Sequence, residues 1–457
     1  MANHSRQSVL FPEGFSKPLQ MDFLAEQVTS DGGALLLDLA DRKLGLTEAL
    51  AAAVHDRRQQ SKVRHPVEEL VRQRIYAIAL GYSDCNDFDH LRKDPVLRML
   101  HGKSLNSDSL LGSQPTLSRL ENSVTRADLF RMGEALADRA VLSARKKYGK
   151  KVKLITLDLD PTVDPTHGQQ QLSLFNGHYD SWCYLPLPAF MSFDDHPEMH
   201  LFACLLRPGN AKATLGAIGL LKRILSRLRK AFPKARVRVR LDGGFATPEM
   251  FDYLDSCRRL EYLVSMPKNS RLETLAEPLM KRIRRESKCT GETANIFGEV
   301  SYAARSWRKE RRVVVKAEMV CAEGKDPRDN ARFVVTNMRH GPENLYQLYR
   351  DRGECENRIK ELKQGVEMDR TSCTSFLANQ FRVLLSSAAM VLFQEIRYAA
   401  RGTSCERAQA GTIRLRLLKI GAQIVESVRR LIIHAPKAYP WLKEFRVIAK
   451  RLRPKPA

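Results

Sequence analysis

The chain has 457 residues, 43% of them hydrophobic, with 76 Lys and Arg against 52 Asp and Glu, a net charge of +24 and a pI near 9.8. That length suits about three domains and a sizeable core, and a field of that sign draws polyanions, the footprint of nucleic-acid binding. The nine cysteines are scattered with no CxxC pair, which argues against a zinc finger or disulfide frame and for reduced thiols in the cytoplasm. No run of about 18 uncharged apolar residues occurs; 381–393 comes nearest, but Arg382 interrupts it and it is too short to span a bilayer. The first thirty residues lack a basic-then-apolar export pattern. A membrane partner is therefore not expected.

Residues 1–147 read as helical, with Leu35, Leu36, Leu39 and Leu44, then Leu70, Ile75, Ile78 and Ala79, at helical spacing. Ser113-Gln-Pro-Thr-Leu-Ser-Arg-Leu-Glu-Asn122 carries a capped helix start, with Ser113 as N-cap and Pro115 just inside. A helix presenting Thr116, Ser118 and Arg119 is either the recognition helix of a DNA-binding helix-turn-helix or an ordinary helix packed on its neighbours. From 148 to 267 the texture changes. Strands are expected at 153–160, 183–193, 200–206, 236–241 and 261–266, and helices at 211–231 and 248–258. The order β-β-β-α-β-α-β is that of a ribonuclease-H-like core, an α+β fold with a mixed five-stranded sheet, awaiting one last helix; this is an analogy of fold and fixes no chemistry. A β-rich insertion at 268–340 intervenes, with alternating segments at 312–320 and 331–336. The awaited helix, followed by another, fills 341–398 and begins near Glu343. A basic helical region, 399–457, closes the chain; from Arg401 on it holds fourteen basic and three acidic residues.

Three acids fall where this topology would bring them together. Asp160 ends the first strand in Leu157-Asp-Leu-Asp-Pro-Thr162, and Asp242 ends the fourth in Arg240-Leu-Asp-Gly-Gly-Phe245. Sites in open sheets form outside strand ends near the centre. Glu356 lies on the helix that would cross them. At about 100° per residue, Tyr349, Arg352, Glu356 and Lys363 share one stripe beside an apolar stripe of Leu345, Leu348, Cys355, Ile359 and Leu362, while Glu354 and Glu361 should point to solvent. Hydrolysis or transesterification of a phosphodiester needs an activated nucleophile and a stabilised leaving oxygen, which two hard divalent cations supply together. Carboxylates suit Mg²⁺, with Mn²⁺ as substitute, so Asp160 would bridge two ions with Asp242 and Glu356 flanking. Asp158, on the same strand face, is the alternative ligand, or a hydrogen-bonded strand acid. His167 would touch a phosphate or be structural.

Tyr349-x2-Arg352-x3-Glu356-x6-Lys363 resembles the YREK signature of DDE-type transposases of the insertion-sequence-4-like clan. Asp160-x-Thr162 followed by His167-Gly168 and Asn176, Asp242-Gly-Gly-Phe245, Thr29-Ser-Asp-Gly-Gly33, Gly81-Tyr-Ser-Asp84 and the segment 114–122 are similar to the thirteen-eighty family of bacterial insertion sequences. The resemblance spans essentially the whole chain. It implies excision and insertion of a mobile element by an enzyme that binds double-stranded DNA, both terminal inverted repeats and target. It further implies phosphate contacts from Tyr349, Arg352 and Lys363, and an insertion-domain tryptophan holding a flipped base, for which Trp307 among Arg305, Arg308, Arg311 and Arg312 is the candidate. Two ends must be paired, so a homodimer on DNA is expected. Two alternatives stay open: a ribonuclease-H-like nuclease that cuts without joining, and a catalytically retired, DNA-binding descendant.

Overall fold

The computed structural model describes residues 25–453. The opening of the expected 1–147 segment, where the absence of an export pattern was read, and the last four residues of the basic tail lie outside them. After a short strand β1 (Val28–Thr29) come helices α1 (Leu35–Leu44), α2 (Leu46–Ala52), α3 (Val67–Leu80), α4 (Phe88–Leu91), α5 (Pro95–Leu100), α6 (Gln114–Ser123) and α7 (Arg126–Tyr148). Local chemistry sets their ends. Gly45, at φ 61°, closes α1 through a bond from its N–H to the Asp41 carbonyl, a left-handed position that glycine takes without a Cβ clash. A reciprocal box between Thr125 and Asp128 opens α7.

The middle of the chain holds β2 (Leu154–Leu159), β3 (Asp164–Pro165), β4 (Leu174–Asn176), β5 (Ser181–Tyr184), β6 (Leu187–Phe193), β7 (His200–Leu205), α8 (Ala217–Ala231), β8 (Arg236–Leu241), α9 (Pro248–Ser256) and β9 (Leu260–Met266). The stretch expected as one strand at 183–193 is two, because Pro186 has no N–H to donate to a ladder and the chain bends there into another sheet. Then follow α10 (Ser270–Thr290), β10 (Ala294–Tyr302), β11 (Arg311–Val320), β12 (Arg328–Thr336), α11 (Pro342–Arg350), α12 (Gly353–Val366), α13 (Phe376–Ala399), α14 (Ala410–Ile413), β13 (Ala422–Glu426), β14 (Leu431–His434) and α15 (Leu442–Leu452).

The main sheet has eight strands in the order β10-β11-β12-β9-β8-β2-β6-β7. The five expected core strands are contiguous in it, with β2 parallel to β8, β8 parallel to β9, and β2 antiparallel to β6. The expected count of five is corrected by the insertion. Its three strands join the same sheet, because β12 pairs with β9 from Phe333↔Met266 to Thr336↔Leu263. The insertion also opens with a 21-residue helix, α10, whose Leu272, Ala276, Met280 and Ile283 are buried against the new strands. The last helix is not continuous: it is broken at Asp351 and Arg352, where Arg352 and Cys355 bond back three residues instead of four. The tail is not simply helical either, since β13 pairs with β1 and β14.

Helices α8, α9 and α10 cover one face of the sheet and α11 to α13 the other. The 24-residue α13 is long and apolar enough to cross a membrane, which corrects the short run expected at 381–393, but 89% of its apolar window is buried inside the protein. It is the axis of one hydrophobic core that joins α1 to α7, the β7 side of the sheet, α12, α14 and α15. The helices before residue 148 therefore close no core of their own.

Candidate active site

Asp160 and Asp242 are each the residue that follows a strand, β2 and β8, and those strands are parallel neighbours, so both acids leave the sheet at the same end. Asp242 is pinned where it stands: its Oδ1 accepts the Gly244 N–H at 2.9 Å. A Cβ at Gly244 would lie 2.9 Å from the Ala213 Cβ, so this turn needs glycine. Asp160 is nearly buried, and burial pushes its carboxyl up to about 7, opposed by Arg352 and reinforced by the charges of Asp242 and Glu356. Glu356 is exposed in the first turn of α12. The three acids thus feel one another across the sheet end.

Arg352 sits at the break between α11 and α12 and reaches into this group, with Nη2 2.7 Å from Asp160 Oδ1 and 3.9 Å from Asp242 Oδ2. Burial works against its charge, but Asp160, Tyr349 and Asp242 outweigh that and hold the guanidinium above its ordinary range. In this arrangement no three His, Cys, Asp or Glu side chains among the described residues stand together as a group that could hold a metal ion. The donor chemistry nonetheless suits a hard cation. It is all carboxylate oxygen, and the buried Asp160 already takes a cationic N–H donor at contact distance.

The rest of the signature divides. Tyr349 is half-buried, and burial raises its hydroxyl pKa, opposed by a hydrogen bond with Ser265 and by Arg352. Lys363 donates to the Val163 carbonyl, fixing the segment that follows Asp160. Asp158 does not join the acids. It is fully buried, with Oδ1 and Oδ2 accepting from Arg240 at 2.7 and 2.8 Å, and Arg240 also donates to the Leu348 carbonyl at 3.0 Å. This pair staples α11 to the sheet, and the alternative role as a ligand is corrected to that of a structural counter-ion. Glu361, expected in solvent, is buried: it accepts from Arg358 at 3.0 Å and from the Ala410 N–H at 2.8 Å and pairs with Arg397. The helical wheel missed it because α12 is covered on a second side by α13 and α14. Glu354 is half-buried beside Arg358.

His167 is exposed, its carbonyl accepting from Gln170. Trp307 lies in the β10–β11 hairpin, packed on Phe251, Tyr302 and Arg311 with centroid distances of 4.8, 5.3 and 4.9 Å. The register puts that hairpin toward the Leu260 end of the sheet, whereas Asp242 adjoins the Met266 end. The flipped-base role expected of Trp307 is therefore corrected: this indole is part of the core edge at the wrong end. Two residues went unrecognised in the sequence. Tyr179 has its hydroxyl pKa raised by burial and then by Asp160 and Asp242. Arg207, buried after β7, donates to the Leu185 and Ala213 carbonyls at 2.8 Å each, and burial brings its guanidinium down to about 10 against the pull of Cys204 and Asp242. Neither lies in a repeated spacing or motif.

Away from the acids, α6 forms one wall of a cleft of about 930 Å³ lined by Arg58, Lys62, Arg64, Arg92, Lys103 and Arg119, with Asp108 as its acidic residue. Of the two readings of α6, the helix-turn-helix is not formed: residues 101–113 separate α5 from α6, where that motif has a turn of about 3–4 residues. The inner face of α6 is core, with Glu121 accepting from the buried Arg74 at 2.9 Å. Thr116 and Arg119 line the cleft.

Residues 11–457 match the family described as Transposase DDE domain group 1. The chain belongs to that family. The comparison with curated proteins returned no match. Among the solved structures that this transposase is similar to is a cryo-EM structure of a piggyBac transposase synaptic complex with hairpin DNA, at 11% identity and a TM-score of 0.39, over 85% of this chain and 79% of that one.

Proposed function

We propose that this transposase cuts DNA at the ends of an insertion sequence and joins the freed ends to target DNA, with Asp160, Asp242 and Glu356 as its catalytic acids. The observation that carries the proposal is the convergence of Asp160 and Asp242 on one cationic group at adjacent parallel strand ends, with Glu356 close enough for its charge to raise Asp160. We read the centre of the sheet as a ribonuclease-H-like core and the 349–363 signature as that of the insertion-sequence-4-like clan; the contiguous order of the five core strands supports the first.

Asp160, Asp242 and Glu356 would hold two Mg²⁺ ions, or Mn²⁺ in their place. Bound there, such ions make water or a 3′-hydroxyl a stronger nucleophile and stabilise the departing oxygen. The chain's own residues orient the substrate. Arg352 meets Asp160 through Nη2 alone and its Nε is unpartnered, so the same guanidinium has N–H donors left to take a phosphate oxygen when DNA enters. Tyr349 stands on the same side of the site, and Lys363 holds the loop after Asp160 and adds positive charge beside the path of the strand. The cleft at α6 supplies affinity for the duplex, with Thr116 and Arg119 facing it. Two ends must be held together, so the active form is a homodimer on DNA, in a cytoplasm that keeps the nine cysteines free.

The experiment is incubation of purified protein with DNA carrying the repeats that flank its gene, with Mg²⁺, resolving nicked, double-cut and joined products. Cutting without joining would favour a nuclease, and binding without cutting a retired enzyme.

A further inference from the structure

We propose that the hairpin of β4 and β5 is a stacking platform for an unpaired DNA base beside the acids; this rests on the DNA-processing reading above and adds a kind of contact that carboxylates and cations do not make. Of the four exposed Phe, Tyr and Trp side chains among the described residues, three lie on this hairpin: Phe175, Tyr179 and Trp182, with Trp182 59% exposed. Phe175 and Trp182 are directly opposed cross-strand partners, edge to face at 6.2 Å between centroids. A folded chain that leaves its large aromatics together in water marks a place where something docks.

The platform is rigidly held. The Asn176 side chain donates to the Gly209 carbonyl at 2.7 Å and accepts the His178 N–H at 3.0 Å. A Cβ at Gly209 would come within 2.2 Å of the Leu174 carbonyl oxygen, so hairpin and loop lie in direct contact. That loop runs on to the exposed Lys212 and to Ala213, whose Cβ abuts Gly244 in the Asp242 turn. The order across the surface is therefore aromatic pair, cationic loop, proposed catalytic acid.

A base fits this surface better than a protein face does. Asn176, His178, Asp180 and Ser181 break the apolar area, while a flat ring flanked by a cation is what a nucleotide needs, and every base offers a π-face. Trp307 and Trp441 are already engaged, with Phe251, Tyr302 and Arg311 and with Tyr439 and Arg416. Trp182 is the indole with an open surface.

The test titrates the full chain, in metal-free buffer, with oligo-dT and separately with a fully paired duplex, reading tryptophan fluorescence and affinity. Oligo-dT is expected to quench the unaltered protein, and Trp307→Phe and Trp441→Phe to keep that quenching. Trp182→Leu should lose it and bind oligo-dT about tenfold more weakly, the worth of one stacked base, with unchanged duplex affinity; Trp182→Phe should recover most of the loss. Should Trp182→Leu melt early, Phe175→Leu, which keeps the indole, is expected to weaken oligo-dT binding while duplex affinity is unchanged, and no such weakening overturns the platform. Quenching that survives Trp182→Leu, or an equal loss on both DNAs, overturns the platform alone. If sedimentation shows Trp182→Leu dissolving a dimer of the DNA-free chain, the patch belongs to a second copy and the platform is likewise overturned. An unaltered protein that binds no DNA overturns platform and DNA-processing reading together.

Discussion

Burial divides the two aspartates of the first core strand. Both carboxylate oxygens of Asp158 are taken by Arg240, whereas Asp160, two residues on, meets Arg352 at the open sheet end. Asp160→Asn, Asp242→Asn and Glu356→Gln should each cut cleavage by about 10³-fold or more, the scale of several kcal/mol of charge stabilisation, with DNA affinity near normal in a gel-shift titration. Asp158→Ala should instead unfold early, losing about 3–5 kcal/mol because it leaves Arg240 buried and unpaired, as urea melts would show. Asp164 offers a pH test. It is buried with one oxygen bonded to Thr371 at 2.8 Å and the other unpartnered, and burial pushes its carboxyl up to about 8. A folded-state pKa raised above the ordinary 3.8 means that the fold favours the protonated acid, so this contribution is whole below about pH 4 and is lost as pH rises toward 8, at about 1.4 kcal/mol per unit. Asp164→Asn should flatten the fall of the thermal midpoint across that window; an unchanged profile would show that the charge is tolerated there. The three proposed acids could be picked out in the sequence because each closes a strand or shares a helical stripe with a signature. Arg240, Arg207 and Tyr179 could not, because their importance comes from what the fold lays across them.

Elements show the same division. Strand β8 came out at its expected bounds, 236–241, whereas the helix expected from 211 opens only at Ala217, after Gly216 in a left-handed conformation. Sheet membership was not legible: alternation in 312–320 and 331–336 announces strands but cannot say that β12 will pair with β9 rather than close a separate module. Helix α12 exposes the limit of a one-sided wheel. Glu361→Ala should cost about 3–5 kcal/mol, since Arg358, Arg397 and the Ala410 N–H converge on a buried carboxylate. Glu354→Ala, which loses a partly exposed pair with Arg358, should stay within about 0.5 kcal/mol. Chemical denaturation of both variants decides whether α12 is held by its second buried face.

At the scale of the whole molecule, one core links the first helices to the last. Ala34, Leu36, Leu136, Phe381, Leu417 and Leu452 belong to a single buried cluster. A fragment of residues 1–147 should therefore lack a cooperative melting transition in calorimetry. The positive charge divides into a net excess and a local one. Arg64→Glu or Arg119→Glu in the α6 cleft should weaken duplex binding and lower the slope of log affinity against log salt by about 0.9 for each phosphate no longer neutralised, while the circular dichroism stays that of the unaltered chain. A slope that does not move would take the cleft off the DNA path.

The break that brings Arg352 and Glu356 to the acids arrives about 200 residues after Asp160. Ribosomes add roughly 5–20 residues per second, so during synthesis the site stays incomplete for tens of seconds, and α13, its support, emerges later still. On the proposed reading, a messenger cut short, or a ribosome that stalls before α12, releases chains with two of the three acids, which should be unable to break DNA. On the proposed assignment, the late arrival of Glu356 leaves every unfinished copy one catalytic acid short.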